Sequence, residues 1–211
     1  MVAINLEPAT IKNNDEESIW NLTTGRQATV ENARKAADMG VDMIVLTGNP
    51  GVGVDNEAIM QALSKLKDAV GDRVILTAGK MHASGIISEA GEKILTEKDI
   101  VDFIDSGADV ILLPAPGTVP GITMEYAGKL IKKAHEKGAL AMTTIGTSQE
   151  GADEDTIRQI ALMCKMAGAD IHHIGDSGYM GMALPENITA YSVAIRGKRH
   201  TYRRMAMSLL R

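Results

Sequence analysis

The sequence predicts an α/β protein of the (β/α)8 TIM-barrel type with six parallel strands. The first observation is an internal repeat, in which a helical stretch stops at a glycine and a short link leads into an unbroken apolar run. The repeat occurs in "AADMGVDMIVLTGNPG", "FIDSGADVILLPAPG", "AHEKGALAMTTIG" and "CKMAGADIHHIGDSG". The second observation is that the apolar runs do not alternate with polar residues, which is typical of parallel strands covered on both faces.

The third observation is a difference between the two kinds of loop. Loops after the strands are longer and richer in glycine, proline and polar residues than those before them, as in barrels whose active face is built from βα loops. With "VAINLEP" and "RVILTAG", six strands are predicted, beginning near residues 2, 42, 73, 109, 139 and 169. Helices are predicted at 28–39, 56–70, 97–106, 123–137, 153–167 and 186–196, with a basic helix at about 198–210.

The alternation of strands and helices favours a parallel sheet with right-handed crossovers. Such a sheet either closes into a barrel or forms an open doubly wound sheet. A full barrel has eight strands, whereas this chain offers six and opens on a strand. We therefore expect a single barrel domain, 1–211, that lacks the first two βα units or is completed by another chain. A natural six-stranded open sheet is the alternative.

Composition narrows the class of protein. Apolar residues make up 45% of the 211 residues and charged residues 23%, as in globular proteins. The net charge of −5 argues against nucleic acid as the main partner. Residues 187–211 nevertheless contain six basic and no acidic residues, which indicates either a phosphate- or RNA-binding tail or a solvated helix face that pairs with another subunit. We expect a homo-oligomer in the cytoplasm, because no apolar run is long enough to span a membrane.

Cysteine chemistry contributes little to the prediction. Cys164 is the only cysteine, which excludes an internal disulfide and a cysteine-based zinc site. It lies in a predicted helix, where a core position is expected.

Long motifs resemble a family of bacterial TIM-barrel proteins of about 300 residues. They are "INLEP", "VLTGNPGVGVDN", "TAGKMHASG", "LLPAPGTVPGIT", "TTIGTSQEGAD" and "ADIHHIGDSGYMGMALPENI" through "AIRGKRHTYRRMAMS". The resemblance covers essentially the whole chain and implies that its strands are the third to eighth of the family barrel. Members carry the labels PEP phosphonomutase-like and haloacid dehalogenase-like hydrolase.

Neither label is supported by the residues themselves. A haloacid dehalogenase needs an Asp-x-Asp nucleophile motif near the start of a different fold, and this sequence has none near its start. A phosphonomutase-like enzyme is expected to carry clustered acidic Mg²⁺ ligands and, in many members, a Lys-Cys-Gly-His-type loop. Because Cys164 is predicted in a helix, that loop is absent, and the second label is a fold-level analogy.

Polar side chains at the carboxyl ends of the strands are the candidate catalytic residues, because these ends meet at the barrel mouth. The candidates are Glu7, Lys80, His82, His173 and Asp176. Lys80 is expected to anchor an anion, to act as a base or to form a Schiff base; an ion pair with Glu7 or Asp176 is the structural alternative. Glu7 is a candidate base or metal ligand. His82 follows Lys80 by two residues and points the same way if the strand extends that far.

Three glycine-containing loops are candidate anion sites. The loop "GNPGVGVDN" lacks the Walker and G-x-G-x-x-G patterns, but it precedes a helix whose amino terminus suits an anion. The other two loops follow the last two strands, a position that often binds phosphate in TIM barrels. The candidate groups are Asn49, Gly51, Gly53, Thr144, Gly175, Ser177 and Gly178. Asp176 and Glu150 would repel phosphate unless Lys80 or a metal intervenes. A divalent cation such as Mg²⁺ held by Glu7, Asp176 and Glu150 would remove this repulsion.

The adjacent histidines His172 and His173 are a poor metal pair. Neighbouring residues of a strand point to opposite faces, so one ring is expected in the barrel interior and the other against the helices. His173, nearer the mouth, is the one expected inside.

The leading functional hypothesis is a metabolic enzyme acting on a small carboxylate or phosphorylated substrate by lyase, isomerase or aldolase-type chemistry. Two alternatives stay open. One is a non-catalytic barrel that binds a ligand or serves in assembly, and the other is a hydrolase, as in the family label.

Overall fold

The computed structural model describes residues 1–8, 23–48, 54–82, 90–146, 149–175 and 183–207. Its six strands are β1 (Ala3–Leu6), β2 (Met43–Gly48), β3 (Ile75–Lys80), β4 (Val110–Pro114), β5 (Leu140–Thr144) and β6 (Ile171–His173). They form one parallel sheet whose spatial order is the chain order. A doubly wound sheet reverses its order at a switch point, so the sequential order confirms the barrel-type prediction.

The helices are α1 (Val30–Asp38), α2 (Asn56–Val70), α3 (Glu97–Asp105), α4 (Met124–Glu136), α5 (Glu154–Ala167) and α6 (Pro185–Met207). Helices α1 to α5 each begin after a Thr or Asp whose side chain accepts the backbone N–H three residues on. These caps satisfy donors that a helix start leaves unpaired. At Gly197 the backbone of α6 leaves the helical region, with φ 77° and ψ 161°, so α6 consists of the two helical segments that the sequence predicts.

Apolar residues lie on both faces of the sheet. On one face, residues such as Ile44, Leu46 and Leu76 pack with the helices into the main core. On the concave face, a smaller apolar cluster contains Met43, Val45, Val110, Leu112 and Met142. The alternation of these residues along each strand explains why the strand sequences are apolar throughout.

A repeated Gly-x-Asp motif ties neighbouring strands together at the amino-terminal edge of the sheet. The aspartate before a strand accepts a backbone N–H from the preceding strand or its start: Asp42 from Val2 at 2.6 Å, Asp109 from Leu76 at 2.9 Å and Asp170 from Ala141 at 2.8 Å. The glycine of each motif has positive φ, between 86° and 112°, which suits the end of the preceding helix. These aspartates are structural, and the carboxyl-terminal edge carries the candidate site.

In the described part of the chain, no helix combines the length and the apolarity that a bilayer crossing requires.

Candidate functional site

Lys80 ends β3 and is buried, with 5% of its surface exposed. It is paired in register with Gly48 of β2, and a Cβ at position 48 would stand 2.7 Å from Cγ of Lys80. Because Gly48 has the same parity as Ile44 and Leu46, the alkyl chain of Lys80 crosses β2 on the helix-facing side of the sheet. A glycine at position 48 leaves the space that this lysine occupies.

Glu7 follows β1 and is held away from the expected lysine. Its carboxylate forms an ion pair with Arg26, and the Glu7 side chain is 12% exposed. The backbone supports this pair, because Glu7 N–H donates to the carbonyl of Arg26 at 2.8 Å and Glu7 bridges Gln27 in parallel. As the structural alternative, sequence reasoning paired Lys80 with Glu7 or Asp176. Glu7 pairs with Arg26 instead because the Arg26 backbone lies alongside the end of β1, and no sequence motif marked Arg26.

His82 lies beyond the end of β3, so strand parity does not fix its direction. The imidazole is partly buried, and burial lowers the pKa of His82 below its ordinary value. Burial thus favours the uncharged imidazole of His82, which suits proton transfer as well as packing.

The adjacent histidines leave β6 on opposite faces, as the sequence predicts. Nδ1 of His172 lies 3.0 Å from the hydroxyl of Tyr191 on α6, and the two rings meet edge to face. His173 points to the concave side, where its Nδ1 lies 3.0 Å from Oγ1 of Thr144 in β5. One metal ion cannot take both rings in this arrangement.

The proton position on His173 follows from its neighbours. The backbone N–H of Gly175 donates to Nδ1 of His173 at 3.1 Å. Since Nδ1 accepts, the neutral ring carries its proton on Nε2, and the Thr144 hydroxyl is placed to donate to Nδ1 as well. Nε2 of the neutral His173 ring is therefore a hydrogen-bond donor on the concave side of the sheet.

Glu150 lies in a short 3-10 turn, Gln149–Gly151, after β5 and is 6% exposed. Its Oε2 is buried and has no hydrogen-bond partner among the described residues. Its Cβ lies 3.5 Å from the point where a Cβ of Gly175 would stand, so the Glu150 turn touches the segment that holds His173. A buried carboxylate oxygen without a partner is unfavourable and calls for an explanation such as a ligand or a catalytic role.

Asn187 is a site neighbour that sequence reasoning did not find. It lies near the start of α6, and its Nδ2 donates to the backbone carbonyls of Glu150 and Ala152 at 2.8 and 2.9 Å. These bonds fasten the Glu150 turn to α6. No local motif marked Asn187, because its partners lie 37 and 35 residues away in the chain.

The structure thus brings together Thr144, Glu150, His173 and Gly175, which we call the β5–β6 mouth. The other predicted groups, Asn49, Gly51, Gly53, Asp176, Ser177 and Gly178, lie outside the described residues. Within the described ranges, no three His, Cys, Asp or Glu side chains are grouped for a metal ion. The predicted Mg²⁺ site of Glu7, Asp176 and Glu150 stays a prediction, since Asp176 is not described.

A sequential parallel sheet with these polar groups at its carboxyl edge defines a protein of the (β/α)-barrel class. The chain belongs to the family described as "Domain of unknown function (DUF7916)", which matches residues 1–211.

Relatives with descriptive names match part of the chain. A Haemophilus influenzae protein named "Putative N-acetylmannosamine-6-phosphate 2-epimerase" is 36% identical over 89 residues, which are 42% of this chain and 33% of that protein. Proteins of the same name from Actinobacillus pleuropneumoniae are 35% identical over 88 residues, again 42% of this chain and 33% of theirs. The match thus spans about a third of the length of these curated relatives.

Solved structures share the fold. Deoxyribose phosphate aldolase from Aeropyrum pernix, described as tetrameric, has a TM-score of 0.60 at 15% identity and covers 92% of this chain and 70% of its own. A putative lyase/mutase from Burkholderia cenocepacia has a TM-score of 0.57 at 16% identity, with 79% and 62% covered. These matches confirm the barrel-type fold. None of the relatives named here carries the phosphonomutase-like or dehalogenase-like label, so those labels are not confirmed.

Proposed function

We propose that this protein is a metabolic (β/α)-barrel enzyme that moves a proton next to a carbonyl group of a small phosphorylated substrate. Isomerases, epimerases, lyases and aldolases share this step. The proposal rests on the buried, unpartnered carboxylate oxygen of Glu150 beside the Gly175–His173 contact. The name of the partial relatives, a sugar-phosphate epimerase, supports the choice of substrate.

Two groups of the β5–β6 mouth would divide the chemistry. Glu150 is the base, because its Oε2 has no internal donor among the described residues to compete for its lone pairs. His173 is the electrophile, because its Nε2–H is a hydrogen-bond donor for the substrate oxygen on which negative charge develops. Thr144 and the Gly175 N–H hold the ring in that orientation.

The phosphate group would be bound at the same edge of the sheet. The loops that contain Gly51, Gly53, Ser177 and Gly178 would supply backbone N–H groups. Lys80, buried at this edge on the helix-facing side of the sheet, would add positive charge from that side. Asp176, with Glu7 or Glu150, would hold a divalent cation such as Mg²⁺ if the substrate requires one. Lys80→Gln is then expected to raise KM for a phosphorylated substrate more than it lowers kcat.

Solvent exchange tests the proposal directly. The protein is incubated with N-acetylmannosamine 6-phosphate in D₂O, and loss of the C2 proton is followed by NMR. We expect exchange with the native protein and a decrease of about 10²- to 10⁴-fold for Glu150→Gln and for His173→Gln. The matched control is Glu31→Gln, which neutralises an exposed carboxylate on α1 and should leave the rate unchanged.

Other outcomes separate the alternative functions. Calorimetric binding of the sugar phosphate without any exchange, repeated over a panel of small sugar phosphates, would favour a non-catalytic ligand-binding barrel. Release of inorganic phosphate would favour a hydrolase.

We also propose that the protein acts as a homo-oligomer or with a second chain against its sheet edges. The tetrameric state of the aldolase of similar fold supports an oligomer. Light scattering of the purified protein decides this point, because a mass of 22.5 kDa would identify a monomer.

A further inference from the structure

Helix α6 turns two buried polar side chains toward the β5–β6 mouth. Asn187 and Tyr191 are 2% and 4% exposed. They are four residues apart and therefore lie one above the other on the same face of the helix. Each makes a hydrogen bond to a different element of the mouth.

Asn187 contacts the element that carries the base. Its two donated bonds, to the carbonyls of Glu150 and Ala152, use both hydrogens of the side-chain amide. They bracket Gly151, a glycine whose Cβ position has no atom within 4 Å. The amide from α6 therefore holds the turn on both sides of this glycine.

Tyr191 contacts the element that carries the electrophile. Strand β6 has three residues, Ile171–His173, and such a short strand is weakly held by its own ladder. The Tyr191 hydroxyl lies 3.0 Å from Nδ1 of His172, and burial raises the pKa of Tyr191 far above its ordinary value, so the hydroxyl keeps its proton. Fixing His172 also fixes the direction of His173, because the two residues are adjacent.

We propose that Asn187 and Tyr191 are positioning residues that together set the separation between the Glu150 carboxylate and the His173 imidazole. Neither touches the substrate. The inference rests on the proposed function for its catalytic consequence, whereas the anchoring itself is independent of that function. Helix α6 then acts as the common support of the base and the electrophile.

The test compares Asn187→Leu and Tyr191→Phe with Ser192→Ala. Leucine has the same number and branching of side-chain heavy atoms as asparagine but no donor, and phenylalanine lacks only the hydroxyl of tyrosine. Ser192 is the matched control, since it also makes a hydrogen bond from α6, but to Thr201 in the second helical segment. Two readouts are taken on each variant, amide hydrogen exchange and the kinetics of substrate proton exchange.

We expect Asn187→Leu to accelerate amide exchange in residues 149–152, and Tyr191→Phe to accelerate it in residues 171–175, by about tenfold or more. In the kinetic assay, both variants should lower kcat by about 10- to 100-fold with KM changed less than about threefold, because misplaced groups slow the chemistry without weakening binding. Ser192→Ala should change neither readout.

Unchanged amide exchange in these segments would overturn the inference, and so would a loss that falls on KM instead of kcat. If the native protein exchanges no substrate proton, the proposed function fails, and the amide exchange data still decide whether α6 holds the two elements. If Asn187→Leu does not fold, Tyr191→Phe decides the question alone, because it removes a single hydroxyl.

Discussion

The backbone N–H of Gly175 donates a hydrogen bond to Nδ1 of His173 across 3.1 Å. This contact joins the loop after β6 to the histidine that ends the strand. It fixes the imidazole as a donor through Nε2, and the proposed function therefore assigns the role of base to Glu150.

We therefore expect neutral His173 to be protonated on Nε2. Long-range ¹H–¹⁵N correlation spectra near pH 8 report the tautomer of each histidine. His200 serves as the internal contrast, because its Nδ1 lies 3.2 Å from the carbonyl of Arg196, which only accepts, and the opposite tautomer is expected there. A spectrum that shows Nδ1–H on His173 would contradict the assigned role.

Gly175→Ala should be far more destabilising than Gly40→Ala. Both positions have φ near +87°, where a non-glycine residue costs about 1–2 kcal/mol. A Cβ at position 175 would also stand 2.1 Å from the carbonyl oxygen of Ile145, whereas position 40 has no atom within 4 Å. We expect an additional loss of about 1–3 kcal/mol for Gly175→Ala in urea unfolding. Equal losses would show that the close approach does not exist in solution.

Glu150→Gln should leave the free energy of unfolding unchanged or raise it by about 1–2 kcal/mol. The reason is that a neutral amide is easier to bury than a carboxylate with an unpartnered oxygen. Urea unfolding at pH 7 measures the effect. A marked loss of stability would indicate that Glu150 has a structural partner and would weaken the case for a base.

Asp170→Asn should weaken the pH dependence of the free energy of unfolding in the acid range. Burial raises the pKa of Asp170, but the hydrogen bonds from His135 and from the Ala141 N–H outweigh it, so the folded pKa lies below the ordinary value. A depressed carboxyl pKa stabilises the fold above the unfolded pKa of about 3.9, and this stability is lost as the pH falls through the folded value. Urea midpoints from pH 5 downward check this, with Asp68→Asn, an exposed aspartate on α2, as the control.

His172→Gln should reduce the loss of stability below pH 6.5. Burial lowers the pKa of His172 and the charge of Arg196 lowers it further, while Asp170 opposes them. The unfolded chain takes up the proton near pH 6.5 and the folded chain only at lower pH, so acid favours unfolding in that interval. Thermal midpoints at pH 7.5 and 5.5 measure the difference. Part of the pH dependence should remain, because burial also lowers the pKa of His82. His200→Gln, at an exposed histidine of α6, is the control.

The repeated glycines and apolar runs were sufficient for the fold. Predicted strand starts near residues 2, 42, 73, 109, 139 and 169 compare with observed starts at Ala3, Met43, Ile75, Val110, Leu140 and Ile171. Helix stops depend on a local backbone property, positive φ at glycine, and buried parallel strands depend on local apolarity. Both are therefore visible in a short window of sequence.

The site was only partly predictable. Strand parity alone separated His172 from His173, because alternation is a local rule. The structure places Lys80 with the helix-facing residues, whereas the sequence analysis expected it in one pocket with Glu7 because both lie at the same edge of the sheet. Glu7 instead forms an ion pair with Arg26, which belongs to a segment that lies alongside β1.

By itself, the sequence determined the sequential parallel sheet, the edge that carries the candidate groups and the opposite directions of the two histidines. The tertiary structure decided which of those groups meet: Thr144, Glu150 and His173 at one mouth, with Asn187 and Tyr191 behind them. The reason is that a strand or helix is set by neighbours in the chain. A hydrogen bond from Asn187 to Glu150 is set by the packing of α6 against a turn 37 residues away.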